Sequence, residues 1–304
     1  MKDFITPQTA GSSLLAALLI GCTSVPPGSA RPLPSAPVSN THAYSVERFS
    51  LPGPVIGVLA RIDLASPRVR VEVTLTDDRD PDGAGPCVGQ LETTSIAARK
   101  HAYQVAINAS FFATPRSREF DGQKVPYFAG NCGYPEGWHF SAGKLISSPL
   151  KDNLRATMIV HRDGRVTLQD RVMELPADTK YAVSGNAMVL DQGEPTASAT
   201  DVIRHPRSAV GLSADGKTLF ILAIDGRQEG HSRGVTLAEL AKIFQNIGAN
   251  SAVNLDGGGS SSLVVRDPAT GVHVIANQPS DLSLARLPIR VERPVIDIVG
   301  VVVE

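Results

Sequence analysis

Three consecutive glycines, Gly257-Gly258-Gly259, constrain this chain more than any other feature. They lie between the apolar runs 251–255 and 263–265, so the stretch reads as strand, tight polar loop, strand. Ordering three glycines is entropically costly, and an ordinary turn needs only one or two. What they offer is close approach: without Cβ atoms, backbone N–H groups can converge on an anion. Ser260 and Ser261 add hydroxyl donors. Asp256, just before the glycines, supplies a negative charge or a general base at the loop mouth. The stretch also fits a plain glycine-rich hairpin between core strands, and composition alone favours that simpler reading.

The elements around the loop give it a setting. Thr236-Leu237-Ala238-Glu239 reads as a capping box, and Leu237, Leu240, Ala241, Phe244 and Ile247 follow at helical spacing. Gly248 stops that helix in the C′ role. Strand 219–224, helix 237–247 and strand 252–255 therefore resemble a crossover unit, with Asp225 and Asp256 at neighbouring strand ends. Arg207 opens the strand before it and Arg233 precedes the helix. Further upstream, 55–64 and 69–73 read as strands, and 94–101 as a short helix with a Thr cap. A buried strand then ends at Asn108 and Ser110, placed either to contact a ligand or to satisfy their own turn. The runs 156–161 and 165–168 form a hairpin across Asp163-Gly164. The long loop 113–137 ends before Trp138, a ring that either stacks on a sugar or fills a core gap. Asp78, Asp80, Asp82 and Gly83 match the opening of a calcium loop, but Gly89 occupies the twelfth position, where a bidentate Glu is needed. An exposed acidic loop is the expectation there. These elements predict an α+β fold: one strand-rich domain over 44–304, with a few helices packed on mixed β-sheet and the site at strand ends and the glycine loop.

The N-terminus reads as an address. Residues 14–20 are an apolar run too short to span a bilayer comfortably, ending at Leu19-Ile20-Gly21-Cys22. That tetrapeptide resembles the bacterial lipoprotein box, which implies a signal over 1–22, lipidation of Cys22 and a membrane anchor. A Pro- and Ser-rich tether then runs over 23–43. The absence of Asp at position 23 implies the outer membrane. In an exported protein the two remaining cysteines, Cys87 and Cys132, predict a structural disulfide. With 29 basic and 30 acidic side chains there is no basic excess to suit non-specific nucleic-acid binding. The seven histidines show no paired ligand spacing, so a metal site is not expected, and a divalent cation has no support in the sequence. Oligomeric state is not encoded in any feature of the chain.

Five ordered blocks together resemble the phosphodiester glycosidase family. They are Asn108-Ala109-Ser110-Phe111-Phe112, Pro206-Arg207-Ser208-Ala209-Val210-Gly211, Asp225-Gly226-Arg227, Arg233-Gly234 and Asn254-Leu255-Asp256-Gly257-Gly258-Gly259-Ser260. The resemblance runs from about Thr94 to the C-terminal strand, while 116–134 matches nothing in it. The family commonly has Gly-Gly where this chain has Ala109-Ser110, a change that bears on substrate choice. What the resemblance implies is hydrolysis of a sugar-1-phosphodiester, with N-acetylglucosamine as a candidate sugar, to free sugar and a phosphomonoester. Asp225 and Asp256 become the candidate carboxylate pair. Arg207 and Arg233 suit a phosphate clamp. Asn108, Ser110, Asn254, Gly257, Gly258, Gly259, Ser260 and Ser261 become candidate binding groups. Three competing classes follow from the same residues. A serine hydrolase lacks a G-x-S-x-G elbow, and a metal-dependent phosphoesterase lacks clustered ligands. A glycan-binding lipoprotein without turnover is the main alternative.

Overall fold

The computed structural model describes residues 41–83, 85–196, 202–283 and 289–304. Residues 1–40, which hold the expected signal, Cys22 and most of the tether, lie outside them.

Alternating strands pair antiparallel, many through tight turns, and three large sheets result beside smaller ones of two or three strands. The largest has seven strands in the order Tyr44–Leu51, Val55–Asp63, Thr218–Ile224, Arg207–Ser213, Ala249–Asn254, Ala187–Asp191, Glu194–Pro195. A second runs His273–Ile275, Leu263–Arg266, Val105–Asn108, Asp297–Val303, Val69–Leu75. The third runs Lys144–Ser147, His139–Ser141, Thr179–Ser184, Thr157–His161, Val166–Gln169, and it contains the expected hairpin across Asp163-Gly164.

Strand alternation decides which side chains meet. From the Thr218–Ile224 strand, Leu219, Ile221 and Ala223 join Val58, Ala60 and Ile62 in one large core. That core also takes Val105 and Ile107 from the second sheet and Met158 and Val183 from the third, so it lies among all three. Phe220, Leu222 and Ile224 point to the other face of the large sheet. There they meet Leu237, Leu240, Ala241, Ile243 and Phe244 of a helix.

Two α-helices are present among the described residues, α1 over Thr94–Lys100 and α2 over Leu237–Asn246. Thr93 rather than Thr94 caps α1, its hydroxyl accepting from the Ile96 N–H. The α2 capping box forms as read, with Thr236 and Glu239 bonding each other's backbone. The expected α+β class is therefore corrected. Each helix covers one patch of sheet, and every strand pairing described is antiparallel, so the fold is strand-rich and essentially all-β. The physical reason is chain economy: one apolar stripe at helical spacing is long enough to cross a sheet, and the other periodic segments alternate and return by short turns.

The crossover forms with a twist in its topology. The Thr218–Ile224 and Ala249–Asn254 strands are both antiparallel to Arg207–Ser213, which lies between them. They are thus parallel to each other, with α2 as their connection. At that connection Gly211 is tightly constrained, since a Cβ there would fall 2.6 Å from the Phe244 ring and 3.2 Å from the Ser251 carbonyl oxygen. Gly211→Ala is expected to cost about 1–3 kcal/mol by overpacking. Part of that loss should return in a Gly211→Ala/Phe244→Leu double variant, measured by thermal unfolding.

Trp138 is resolved by its surroundings. It packs with Ile159, Val172 and Ala182 on the outer face of the third sheet, and its indole N–H donates to the Val172 carbonyl at 2.9 Å. It is a core filler. The acidic loop likewise satisfies itself, with Asp80 accepting from the Asp82 and Gly83 N–H groups. Cys87 and Cys132 are buried and form the expected disulfide across a sequence separation of 45. By loop-closure entropy the bridge is worth about 4 kcal/mol. Reduction, or a Cys87→Ser/Cys132→Ser variant, should lower the unfolding midpoint in proportion.

Candidate active site

Three strands of the large sheet bring polar residues to one edge. Arg207 begins the central strand, Asp225 follows Thr218–Ile224, and Asp256 lies two residues beyond Ala249–Asn254. Because the Arg207 strand intervenes, the two flanking strands run about 10 Å apart. The carboxylates share an edge but do not sit on adjacent strands.

Each glycine of the triplet has a separate steric cause. A Cβ at Gly257 would fall 2.6 Å from the Pro206 carbonyl oxygen. Gly258 has φ +63°, and a Cβ there would touch the Arg227 guanidinium at 3.0 Å. At Gly259 a Cβ would lie 2.1 Å from Arg293 and 2.3 Å from Asp281. Gly258–Ser260 forms a single 3-10 turn. Within it the Gly258 N–H donates to the Pro206 carbonyl, Ser260 N–H to Gly257 and Ser261 N–H to Gly258. The close approach that needs glycine is thus to the protein's own backbone and to two arginines.

Asp256 is half-buried at the mouth of this loop. Its backbone is clamped on both sides, its N–H donating to the Ala109 carbonyl and its carbonyl accepting from Asn108 Nδ2 at 2.7 Å. Burial pushes its carboxyl up to about 6, against the pull of the Ser260 hydroxyl, Arg293 and the Gly257 N–H. The charge of Asp297 adds to the rise. The Ser260 hydroxyl favours the charged form by proximity, yet makes no hydrogen bond of ordinary geometry. Ser260 Oγ, Ser261 Oγ and Asn254 Oδ1 are all buried without a hydrogen-bond partner among the described residues. Clustered unspent polar atoms of this kind call for an explanation.

Asp225 is fully buried and heavily engaged. One carboxylate oxygen faces His231 Nε2 at 2.8 Å, and the other accepts from Asn277 Nδ2 at 3.2 Å and the Gln278 N–H at 2.8 Å. Asn277 Nδ2 also donates to the Ser261 carbonyl, so the carboxylate braces the end of the glycine loop from behind. Asn108 is likewise committed: beyond Asp256, its Oδ1 accepts from Ser208 Oγ and the Ser262 N–H. Asn254 Nδ2 donates to Asn186 and to the Leu255 carbonyl. Ser110 is held away from the loop, its N–H and hydroxyl both donating to Asp297 at 2.7 Å. Arg207 is buried, with its guanidinium donating to the Val235 and Ile203 carbonyls. Arg233 is exposed and lies against Gly53 in the turn before Val55.

Several residues converge here that periodicity and spacing do not single out. Arg227 adopts φ 57°, a left-handed conformation costly for a side chain with a Cβ, and donates to His205 Nδ1 at 2.9 Å. Arg293 donates two hydrogen bonds to Asp281, at 2.8 and 3.1 Å, directly over Gly259. Tyr127 covers that guanidinium, 4.3 Å from Arg293 Cζ to the ring centroid. Glu292, its carboxyl pushed up by burial, ties Ser262 to Ser95 in the first turn of α1. The one signal available in the sequence was the Asp225-Gly226-Arg227 block. The other residues come from segments far apart in the chain.

Among the described residues, Asp82, Cys87 and Cys132 form a group of three potential metal ligands within 4.8 Å of one another. The two sulfurs are bonded to each other, so no thiolate is on offer. A cleft of about 500 Å³, lined by Arg70, Arg162, Arg165 and Lys180, includes Gly216 at the opposite end of the large sheet and shares no residue with the site.

A family profile described as phosphodiester glycosidase matches residues 101–302. N-acetylglucosamine-1-phosphodiester alpha-N-acetylglucosaminidase of Mus musculus is 31% identical over 229 residues, covering 66% of this chain and 38% of the mouse protein. A prophage-derived protein of Bacillus subtilis is 43% identical over 63 residues, 21% of this chain and 10% of that one. The chain thus spans well under half the length of these relatives. Among solved structures, the zebrafish N-acetylglucosamine-1-phosphodiester alpha-N-acetylglucosaminidase catalytic domain, auto-inhibited by its pro-peptide, superposes with a TM-score of 0.63 at 21% identity. That superposition covers 89% of this chain and 86% of the zebrafish domain, a likeness of fold.

Proposed function

This chain belongs to the phosphodiester glycosidase family, and from that premise we propose that it hydrolyses the C1–O bond of a sugar-1-phosphodiester, with Asp256 as general base. The observation that carries the reading is the half-buried Asp256 carboxyl, pushed up to about 6 by burial at the mouth of a loop that meets the Arg227 guanidinium at Gly258 and holds the unspent Ser260 and Ser261 hydroxyls. A base poised near the working pH combines the right protonation state with driving force for proton transfer. Ionised Asp256 accepts a proton from water while the water oxygen bonds to C1. The C1–O bond breaks, and its electron pair leaves with the phosphate as a monoester. Phosphate is a good leaving group and needs no strong acid. Arg227 stabilises charge on the departing phosphate. Asp225, its carboxylate already filled by His231, Asn277 and Gln278, is a positioning residue for the loop.

N-acetylglucosamine is the sugar in the mammalian relatives' name and the first to test. The lipobox at Cys22 and the tether over 23–43 support action on envelope glycans by a lipid-anchored 44–304 domain at the outer membrane. The test incubates the protein with a panel of α-sugar-1-phosphodiesters and identifies both products. Free sugar with a phosphomonoester is expected. Release of a sugar phosphate would mean P–O cleavage and refute the reading. Saturable sugar binding without turnover would establish a binding module instead.

A further inference from the structure

Building on that reading, we propose that the glycine loop has a phosphate flank and a sugar flank, and that Tyr127 and Asp281 form the sugar-binding subsite. The two flanks differ in charge. Against Gly257 and Gly258 lie the start of the Arg207 strand and the Arg227 guanidinium. Arg227 donates to a histidine nitrogen and, among the described residues, forms no ion pair. Against Gly259 lies Arg293, whose charge Asp281 offsets through two hydrogen bonds. An anionic diester is drawn to the first flank. A neutral, hydroxyl-rich ring suits the second, where a carboxylate retains lone pairs for sugar hydroxyls and an aromatic ring offers an apolar surface. Asp256 leads into the loop and its carboxyl feels the Arg293 charge, so the C1–O bond would fall on the Arg293 side of the phosphate.

Tyr127 is built to stay in place. One side of its ring covers Arg293, and Phe112 meets it in an edge contact at 5.5 Å. Asn131, buried, donates to the Arg116 and Pro126 carbonyls at 3.0 and 2.5 Å, closing the segment behind Tyr127. The disulfide at Cys132 pins its end. Yet Tyr127 remains 36% exposed, and the hairpin before it, Arg118–Phe120 with Gln123–Val125, is almost wholly exposed. The segment adds little to the core, and its ordered contacts converge on a partly exposed ring held against Arg293, the guanidinium that lies over Gly259.

Calorimetry with inorganic phosphate and with the 1-phosphates of N-acetylglucosamine, glucose and galactose tests the assignment on the folded protein, without requiring turnover. Tyr127→Ala should weaken the best sugar 1-phosphate about tenfold and leave inorganic phosphate unchanged, while Tyr127→Phe should bind as the wild type does. Arg227→Gln should weaken inorganic phosphate. Equal loss of both ligands in Tyr127→Ala would overturn the proposal, because the ring would then act only through Arg293. An unchanged sugar 1-phosphate affinity would overturn it directly, as would a wild type that binds none of the three. Binding that follows the expected pattern in a protein without turnover would refute the glycosidase reading and leave the subsite standing.

Discussion

Asp256→Asn should lower turnover of a sugar-1-phosphodiester by about 10²–10⁴-fold and, in the same protein, raise the melting temperature at pH 7.5. Both effects have one cause. Folding lifts this carboxyl from an ordinary 3.8 to about 6. Between those values the folded chain holds a proton that the unfolded chain has released. Stability therefore falls as pH rises from about 4 to 6, and above that range the full penalty of a half-buried charge is present. An uncharged amide removes it. The gain at pH 7.5 should be about 1–2 kcal/mol, discounted because the side chain keeps some contact with water. Near pH 4 the wild type and the variant should melt together. The rate has the opposite slope: a base must be ionised, so wild-type kcat/KM should rise with pH through about 6, and the residual rate of the variant should not. Loss of rate with no gain in stability would mean that the carboxyl is not held above its ordinary value, and the general-base role would lose its support.

The local elements were legible because their causes are local. The α2 capping box, its apolar stripe and the following glycine are all encoded within a dozen residues, and they form where the pattern puts them. The hairpin at Asp163-Gly164 and the alternating strands follow from the same short-range rules. The expectation that Asp225 and Asp256 end neighbouring strands failed because a strand-helix-strand segment looks alike whether its strands are adjacent or separated by a third. The Arg207–Ser213 strand, which precedes the unit in the chain, inserts into it. The site was legible where motif residues also form the loop, as at Asp256 and the glycines. It was not legible at Arg293 and Asp281, which meet over Gly259, or at Tyr127, which reaches Arg293 from more than a hundred residues away in the chain. Asn108 shows the converse. Its polar character suggested a ligand contact, but all its described bonds go to Asp256, Ser208 and Ser262, so it sets the loop's position.

That dependence on buried polar struts leads to a stability effect as large as the disulfide's, at Asp297. The side chain is fully buried and accepts from the Ser110 N–H, the Ser110 hydroxyl and His139 Nδ1, each at 2.7 Å. His139 is equally buried, and its Nε2 has no partner among the described residues. Asp297→Ala would strand three buried groups at once and should cost about 3–5 kcal/mol. For a domain of this size that is a drop of roughly 6–20 °C in the unfolding midpoint. Ser110→Ala deletes only the hydroxyl and leaves the N–H contact, so about 1 kcal/mol is expected. The double variant should then be less destabilised than the two losses added together, because the hydroxyl bond cannot be lost twice. A position next to the chemistry should also register in the rate. Asp256 donates its N–H to Ala109, whose own N–H reaches the Asp297 carbonyl, and the Asp297 charge helps to hold the Asp256 carboxyl high. Removing that charge should move the acid limb of kcat/KM to lower pH in whatever fraction of Asp297→Ala remains folded. An unmoved limb with the full loss of stability would make Asp297 a strut alone, and Asp256 would owe its elevation to burial.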